Sequence, residues 1–121
     1  MTEVKNSKKY DLEERTLRFA KEVIEFAKFL SKTVANVEII KQLIRSSGSV
    51  GANYIEANEA LSKKDFTMRI KICRKEAKES RYWLRLIEVR GEDTEERRQA
   101  LINEATELMR IFGSIVEKTK Q

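Results

Sequence analysis

The sequence predicts an all-α protein folded as an antiparallel, up-down-up-down four-helix bundle. Its 121 residues suit one domain with a single core, and 37% charged residues with no Pro and four Gly favour long, solvent-exposed helices. Apolar residues recur at alternating steps of three and four along four segments, the period of helices with one buried stripe. Only a few residues separate these segments, so neighbouring helices are expected to run antiparallel.

The first predicted helix follows a polar, basic lead-in at residues 1–10, which we expect to be disordered. Asp11 and Glu14 form a capping box, so the bundle is predicted to occupy residues 11–119 and its first helix about 12–34. The apolar stripe of this helix consists of Ala20, Val23, Ala27, Leu30 and Val34.

The second predicted helix, about 37–61 with Asn36 as its N-cap, contains a segment rich in Ser and Gly at residues 45–58, RSSGSVGANYIEAN. The apolar period continues unbroken through it, which favours a helix over a phosphate-binding loop. A Walker loop would also need a Lys at a fixed spacing after a strand, and neither is present. The stripe is Ile40, Leu43, Ser47, Val50, Tyr54, Ala57 and Leu61.

The third and fourth helices are predicted at about 63–90 and 94–118. Ser62 with Asp65 forms a capping box before the third helix, and Gly91 is a natural C′ residue after it. The stripes are Phe66, Ile70, Cys73, Ala77, Ser80, Leu84 and Ile87 on the third helix and Leu101, Ala105, Leu108, Phe112 and Ile115 on the fourth.

A seam of small and apolar residues lies beside the core stripe of the second helix. It consists of Ile44, Gly48, Gly51 and Ile55. A Gly inside a helix costs about 1 kcal/mol relative to Ala, so close approach by another helix is the simplest compensation. Because the small and apolar arc is wider than an isolated bundle needs, we expect a packing or homo-oligomer interface here.

The third helix carries the strongest charge signal, with ten Lys and Arg against four Asp and Glu between Ser62 and Gly91. Seven of these cations share one sector of the helix, together with Tyr82 and with no acid among them. This basic face consists of Lys64, Lys71, Arg74, Lys75, Lys78, Arg81 and Arg85. It is typical of a surface that binds nucleic-acid phosphates, with Arg and Tyr able to stack on unpaired bases. Salt bridges to acids of the first and fourth helices are the alternative.

The sequence offers no catalytic constellation. It contains no His, which argues against Ser-His or Cys-His catalysis and against a di-iron site of the ferritin type. Polar residues on the flanks of the core stripes are expected instead to fix helix register or subunit contacts. These are Asn53, Glu56, Glu79 and Trp83. The lone Cys73 is expected to be a small buried hydrophobe in a reducing, cytoplasmic setting, and no segment has the length of a membrane span.

Residues 45–87 also carry motifs that are specific in combination. They are Ser-x-x-x-Asn at Ser49 and Asn53, Asn-x-x-Glu at Asn53 and Glu56, Ser-Lys-x-Asp-Phe at 62–66, and Glu-x-x-Glu-x-x-x-Trp-Leu at 76–84. Together they resemble the signature of bacterial four-helix-bundle proteins encoded in 23S rRNA intervening sequences. The sequence departs from the common pattern at Val50-Gly51 and Glu56-Ala57, where the family often has Ile-Pro and Glu-Gly.

The resemblance implies a ring-like homopentamer without enzymatic activity. It extends to the accessory variability proteins of diversity-generating retroelements, which are basic pentamers that bind nucleic acid and a reverse transcriptase. We therefore expect a non-enzymatic, cofactor-free homo-oligomer that contacts RNA or DNA phosphates through the basic face. The alternative is a protein-interaction scaffold that docks a partner such as a reverse transcriptase, with nucleic-acid binding incidental.

Overall fold

A computed structural model describes the backbone of residues 2–120 and the side chains of residues 12–120. Within this range the chain is all-helical, with no strand, as the sequence predicts. The four helices are α1 (Thr2–Ala27), α2 (Val34–Asn58), α3 (Lys63–Leu86) and α4 (Glu92–Thr119). None of them is both long enough and apolar enough to cross a bilayer.

The predicted bounds of the first helix differ from those of α1. The helix ends at Ala27 rather than near Val34, because the next three residues form tight i to i−3 backbone hydrogen bonds. Lys32 Nζ then donates to the carbonyl oxygens of Ala27 and Leu30, which satisfies two acceptors at this end. The helix also begins at Thr2, ahead of Asp11; the expected disorder of residues 1–10 falls outside the residues described with side chains and stays a prediction.

The segment rich in Ser and Gly lies inside α2, which is continuous from Val34 to Asn58 and confirms the helix prediction. The predicted N-cap is wrong, however. Thr33 caps the helix by accepting from the backbone N–H of Asn36 at 3.1 Å. The Asn36 side chain is buried and donates from Nδ2 to the carbonyls of Ser31 (3.1 Å) and Glu88 (3.0 Å), while its Oδ1 accepts from Glu88 N–H (3.2 Å). Asn36 thus ties the α1–α2 turn to the α3–α4 turn.

The α3 N-cap is confirmed, because Ser62 Oγ accepts from the backbone N–H of Asp65 at 3.0 Å. The helix ends at Leu86 rather than near residue 90. Gly91, predicted as the residue after α3, is instead the N-cap of α4, with a φ of 88° that side-chain-bearing residues rarely adopt.

The helices pack around one core. α2 lies against α1 and α3, and α4 lies against α3 and α1, so each helix has its two neighbours in the bundle. The largest fully buried side chains come from all four helices and the turn after α3: Phe19, Phe26, Phe112, Leu43, Ile70, Leu84, Ile87 and Leu108. On α3 this core side leaves the opposite flank to solvent, and that flank carries the cations.

Candidate nucleic-acid interface

The basic face of α3 is a solvent-facing surface. Every member is exposed except Arg81, which is half-buried. The core side of α3 is fixed by Ile70, Cys73, Ala77 and Leu84, all fully buried, so the helix has only one rotational setting. That setting turns the sector from Lys64 to Arg85 outward.

Carboxylates do not neutralise this face in the described part of the chain. Only Lys75 has an ion pair, 3.8 Å from Glu76 Oε2 on the same helix. Three acids of α4 pair elsewhere: Glu104 lies 2.7 Å from Arg15 of α1, Glu107 pairs with Arg110 on α4, and Glu117 pairs with Lys120 just after it. The salt bridges to α1 and α4 that would explain the basic face as structural are therefore not formed.

Two arginines of the basic face extend over α4. Arg81 Nη1 donates to Thr106 Oγ1 at 3.3 Å. The Arg74 guanidinium passes Gly113, where an added Cβ would lie 3.6 Å from Nη1. The positive surface thus spreads from α3 onto the α3–α4 groove, and Gly113 is a contributor that charge counting along the sequence does not reveal.

Tyr82 adds an aromatic ring to this surface. It is 58% exposed and meets Trp83 edge-on, with ring centroids 5.0 Å apart and an interplanar angle of 76°. The Trp83 contact orients the Tyr82 ring while leaving it accessible. An exposed aromatic among cations is a suitable platform for an unpaired base.

A second polar cluster lies on the other side of α3, against α2. Arg45 Nη2 lies 2.5 Å from Glu79 Oε1 and 3.5 Å from Glu76 Oε1, and Arg69 Nη1 donates to Asn53 Oδ1 at 2.9 Å. Sequence reasoning proposed Asn53 and Glu79 as register residues but missed both arginines.

Two buried polar atoms beside these pairs have no hydrogen bond within the described part of the chain. Glu76 is buried and its Oε1 has no hydrogen bond, and the buried Nε1 of Trp83 has none either. Glu56 is exposed and lies at the rim of a groove near the α2–α3 turn. Arg45 and Glu79 are 34 positions apart, so no short spacing in the sequence could have announced their contact.

The small seam of α2 divides into two parts. Gly51 faces α1 closely: an added Cβ would stand 2.9 Å from Thr16 Oγ1 and 3.2 Å from Thr16 Cβ. Gly48 faces open space, and its neighbours Ile44 and Ile55 are exposed, as are Leu17 and Ile24 of α1. Gly51 therefore serves contact within the chain, whereas the rest of the seam has no cover within the described residues.

The described residues hold no group of three or more acids, Cys or His placed to bind a metal. Cys73 is fully buried, as predicted, and burial raises the pKa of its thiol from 9.0 to about 12. Because the thiolate is the nucleophile, this side chain is inert at neutral pH.

The chain is similar to proteins of one known family. The sequence model of a family described as 23S rRNA-intervening sequence protein matches residues 8–114. A solved structure of a protein of unknown function, from the S23 ribosomal protein family of Bacteroides thetaiotaomicron, is 33% identical with a TM-score of 0.74. That similarity covers 86% of this chain and 96% of the other. No curated protein matches. The family match extends beyond the motifs of α2 and α3 into α1 and α4.

Proposed function

We propose a function for this chain, which belongs to the family of 23S rRNA-intervening sequence proteins. The proposal is that it is a non-enzymatic, homo-oligomeric nucleic-acid-binding protein. Its basic face on α3 contacts the phosphates of RNA or DNA without strong sequence preference. The observation that carries this is a continuous cationic surface with one ion pair among its seven members, so its charge is available to a ligand.

The bundle is proposed to be antiparallel throughout, and contacts between helices support this. Where α2 meets α3, Ser46 touches Ser80 and Asn53 touches Arg69, so the numbers fall on one helix as they rise on the other. The other three pairs follow the same rule. Between α3 and α4 the contacts are Arg81–Thr106 and Arg74–Gly113, and between α1 and α2 they are Glu13–Asn58 and Thr16–Gly51. Between α1 and α4, Arg15 meets Glu104, and Phe29, just after α1, lies under Arg97.

Assembly into a ring of about five copies is the second part of the proposal. The subunit number comes from the family resemblance, and the uncovered part of the seam supports an interface. A chain of net charge +5 repeated five times would carry 5 × 5 = +25. Such a charge speeds association with nucleic acid and makes affinity steeply dependent on salt.

Electrophoretic mobility shift with structured RNA and with duplex DNA tests the proposal. We expect binding near 50 mM salt, a typical low-salt condition, and a loss of at least about tenfold when Arg74, Lys78 and Arg85 are changed to Glu. The matched control reverses three exposed lysines on the other helices, Lys21, Lys41 and Lys118, for the same change in net charge. Absence of binding, or equal losses in both triple variants, would refute a dedicated surface on α3.

A protein-interaction scaffold is the second candidate, favoured by the exposed apolar residues Leu17, Ile24, Ile44 and Ile55. In this case the surface binds a partner such as a reverse transcriptase, and nucleic acid is incidental. Affinity purification before and after nuclease treatment separates the two. A scaffold keeps its protein partner after digestion, whereas a nucleic-acid tether loses it.

A further inference from the structure

A groove lies beside the basic face, at the end of the bundle where α3 begins and α4 ends. Its volume is about 730 Å³, and it is lined by Lys64, Lys71 and Lys75 of α3, by Met68 and Ile72 between them, and by Lys120 just after α4. No acidic side chain lines it within the described part of the chain. The groove therefore joins a positive rim to an apolar floor.

The floor is unusual for a surface so rich in charge. Met68 is 55% exposed, and Ile72 is half-buried behind it. Phosphates alone would be bound as well by lysines on a polar surface, so the floor indicates a ligand with both an anionic and an apolar part. A nucleotide whose base is unpaired is such a ligand, because its base has an apolar face that a duplex hides by stacking.

We propose that this groove takes unpaired nucleotides of single-stranded nucleic acid, with the base against Met68 and Ile72 and the flanking phosphates on Lys64 and Lys71. This deepens the proposed function and rests on it, since it names single strands as the preferred class. It also predicts that apolar residues, and not only cations, control affinity at this surface.

Charge continuity favours a nucleic acid over an acidic peptide as the occupant. From Lys71 the cations continue along α3 to Arg85, 14 residues further, which spans about 21 Å at 1.5 Å per residue. The exposed ring of Tyr82 lies on that line. A strand that leaves the groove along this line meets cations for its phosphates and an aromatic ring for a second base.

Fluorescence anisotropy tests this with one labelled pyrimidine-rich single strand and a labelled duplex of the same length. The variant Met68→Ser removes the centre of the floor without changing charge, and Met68→Leu restores an apolar side chain. Leu86→Ser is the matched control, since Leu86 is also half-exposed on α3 but lies outside the groove. Lys71→Glu tests the rim.

We expect Met68→Ser to weaken single-strand binding by about tenfold, as loss of one base contact does, and to change duplex binding less than about twofold. Met68→Leu and Leu86→Ser should bind like the wild type, and Lys71→Glu should weaken both ligands. Equal binding of strand and duplex with no effect of Met68→Ser overturns the groove proposal alone. Failure of the wild type to bind either ligand overturns the proposed function itself. Tight binding of an acidic amphipathic peptide that depends on Met68, beside nucleic-acid binding that does not, assigns the groove to a protein.

Discussion

Replacing Asn36 tests how the two turns at one end of the bundle are held together. The wild-type side chain makes three hydrogen bonds, two from Nδ2 to the carbonyls of Ser31 and Glu88 and one to Oδ1 from Glu88 N–H. Asn36→Ala removes all three. Asn36→Asp keeps the acceptor but loses both donors, and its carboxylate would face two carbonyl oxygens.

The expected losses follow from these contacts. A hydrogen bond contributes about 1 kcal/mol net, so Asn36→Ala should lower the free energy of unfolding by about 3 kcal/mol. Asn36→Asp should cost more, because it also buries an unpaired charge at a position only 1% exposed in the wild type. Asn103→Asp is the matched control: this side chain is exposed, and the same change there should stay within about 0.5 kcal/mol.

Urea unfolding followed by circular dichroism measures these differences. With an m-value of about 2 kcal/mol per M, Asn36→Ala should lower the midpoint by about 1.5 M. An Asp variant as stable as the Ala variant would refute the donor role of Nδ2. A loss below about 1 kcal/mol for Asn36→Ala would mean that the link between the turns contributes little.

Further predictions concern the small seam and the buried thiol. Gly51→Ala should destabilise the chain by about 1–3 kcal/mol, because the added Cβ overlaps Thr16. Gly48→Ala should raise stability by about 0.5–1 kcal/mol, because the position faces open space. A higher melting temperature for Gly51→Ala than for Gly48→Ala would contradict this packing. Gly48→Leu should not lower the melting temperature of the subunit, since Leu also has a higher helix propensity than Gly, but it should reduce the assembled mass seen by light scattering. An unchanged mass would remove Gly48 from the interface. The raised pKa of Cys73 means that unfolding releases a proton between pH 9 and about 12, so stability should fall as pH rises through that window, by at most about 1.4 kcal/mol per unit. Cys73→Ala should abolish this part of the slope, and parallel pH profiles for the two proteins would contradict it.

Local patterns were enough to predict the helices but not all their ends. The apolar period identified α2 through its glycines, and the Ser62 cap was recognisable because its partner Asp65 is three residues away. Asn36 is also of a residue type that often caps helices, but its hydrogen-bond partner Glu88 is 52 residues away in the sequence. A side chain that fits both a local and a long-range role cannot be assigned from local sequence alone.

The residues of the candidate site also differ in whether local sequence could predict them. Membership of the basic face depends only on the rotation of one helix, which the period of α3 fixes. In the structure six of its seven cations are exposed and Arg81 is half-buried. The pairing of Arg45 with Glu79 and the contact of Thr16 with Gly51 depend on which helices meet and at what height. These contacts arise from packing between helices, so no short-range pattern in the sequence predicts them.

The two surfaces on which the proposal depends lie on different sides of the bundle. Arg74 and Arg81 of the basic face reach over α4, whereas the uncovered seam belongs to α2 beside α1. Copies that meet through the seam therefore leave the cations of each copy accessible. In the proposed assembly, linked copies would meet one long nucleic acid at an effective concentration that a single copy lacks, so the affinity of the assembly should exceed that of its parts without any new contact. Disrupting the seam should then weaken binding to long strands far more than binding to strands that occupy one subunit, because only the long strands depend on the connection between copies.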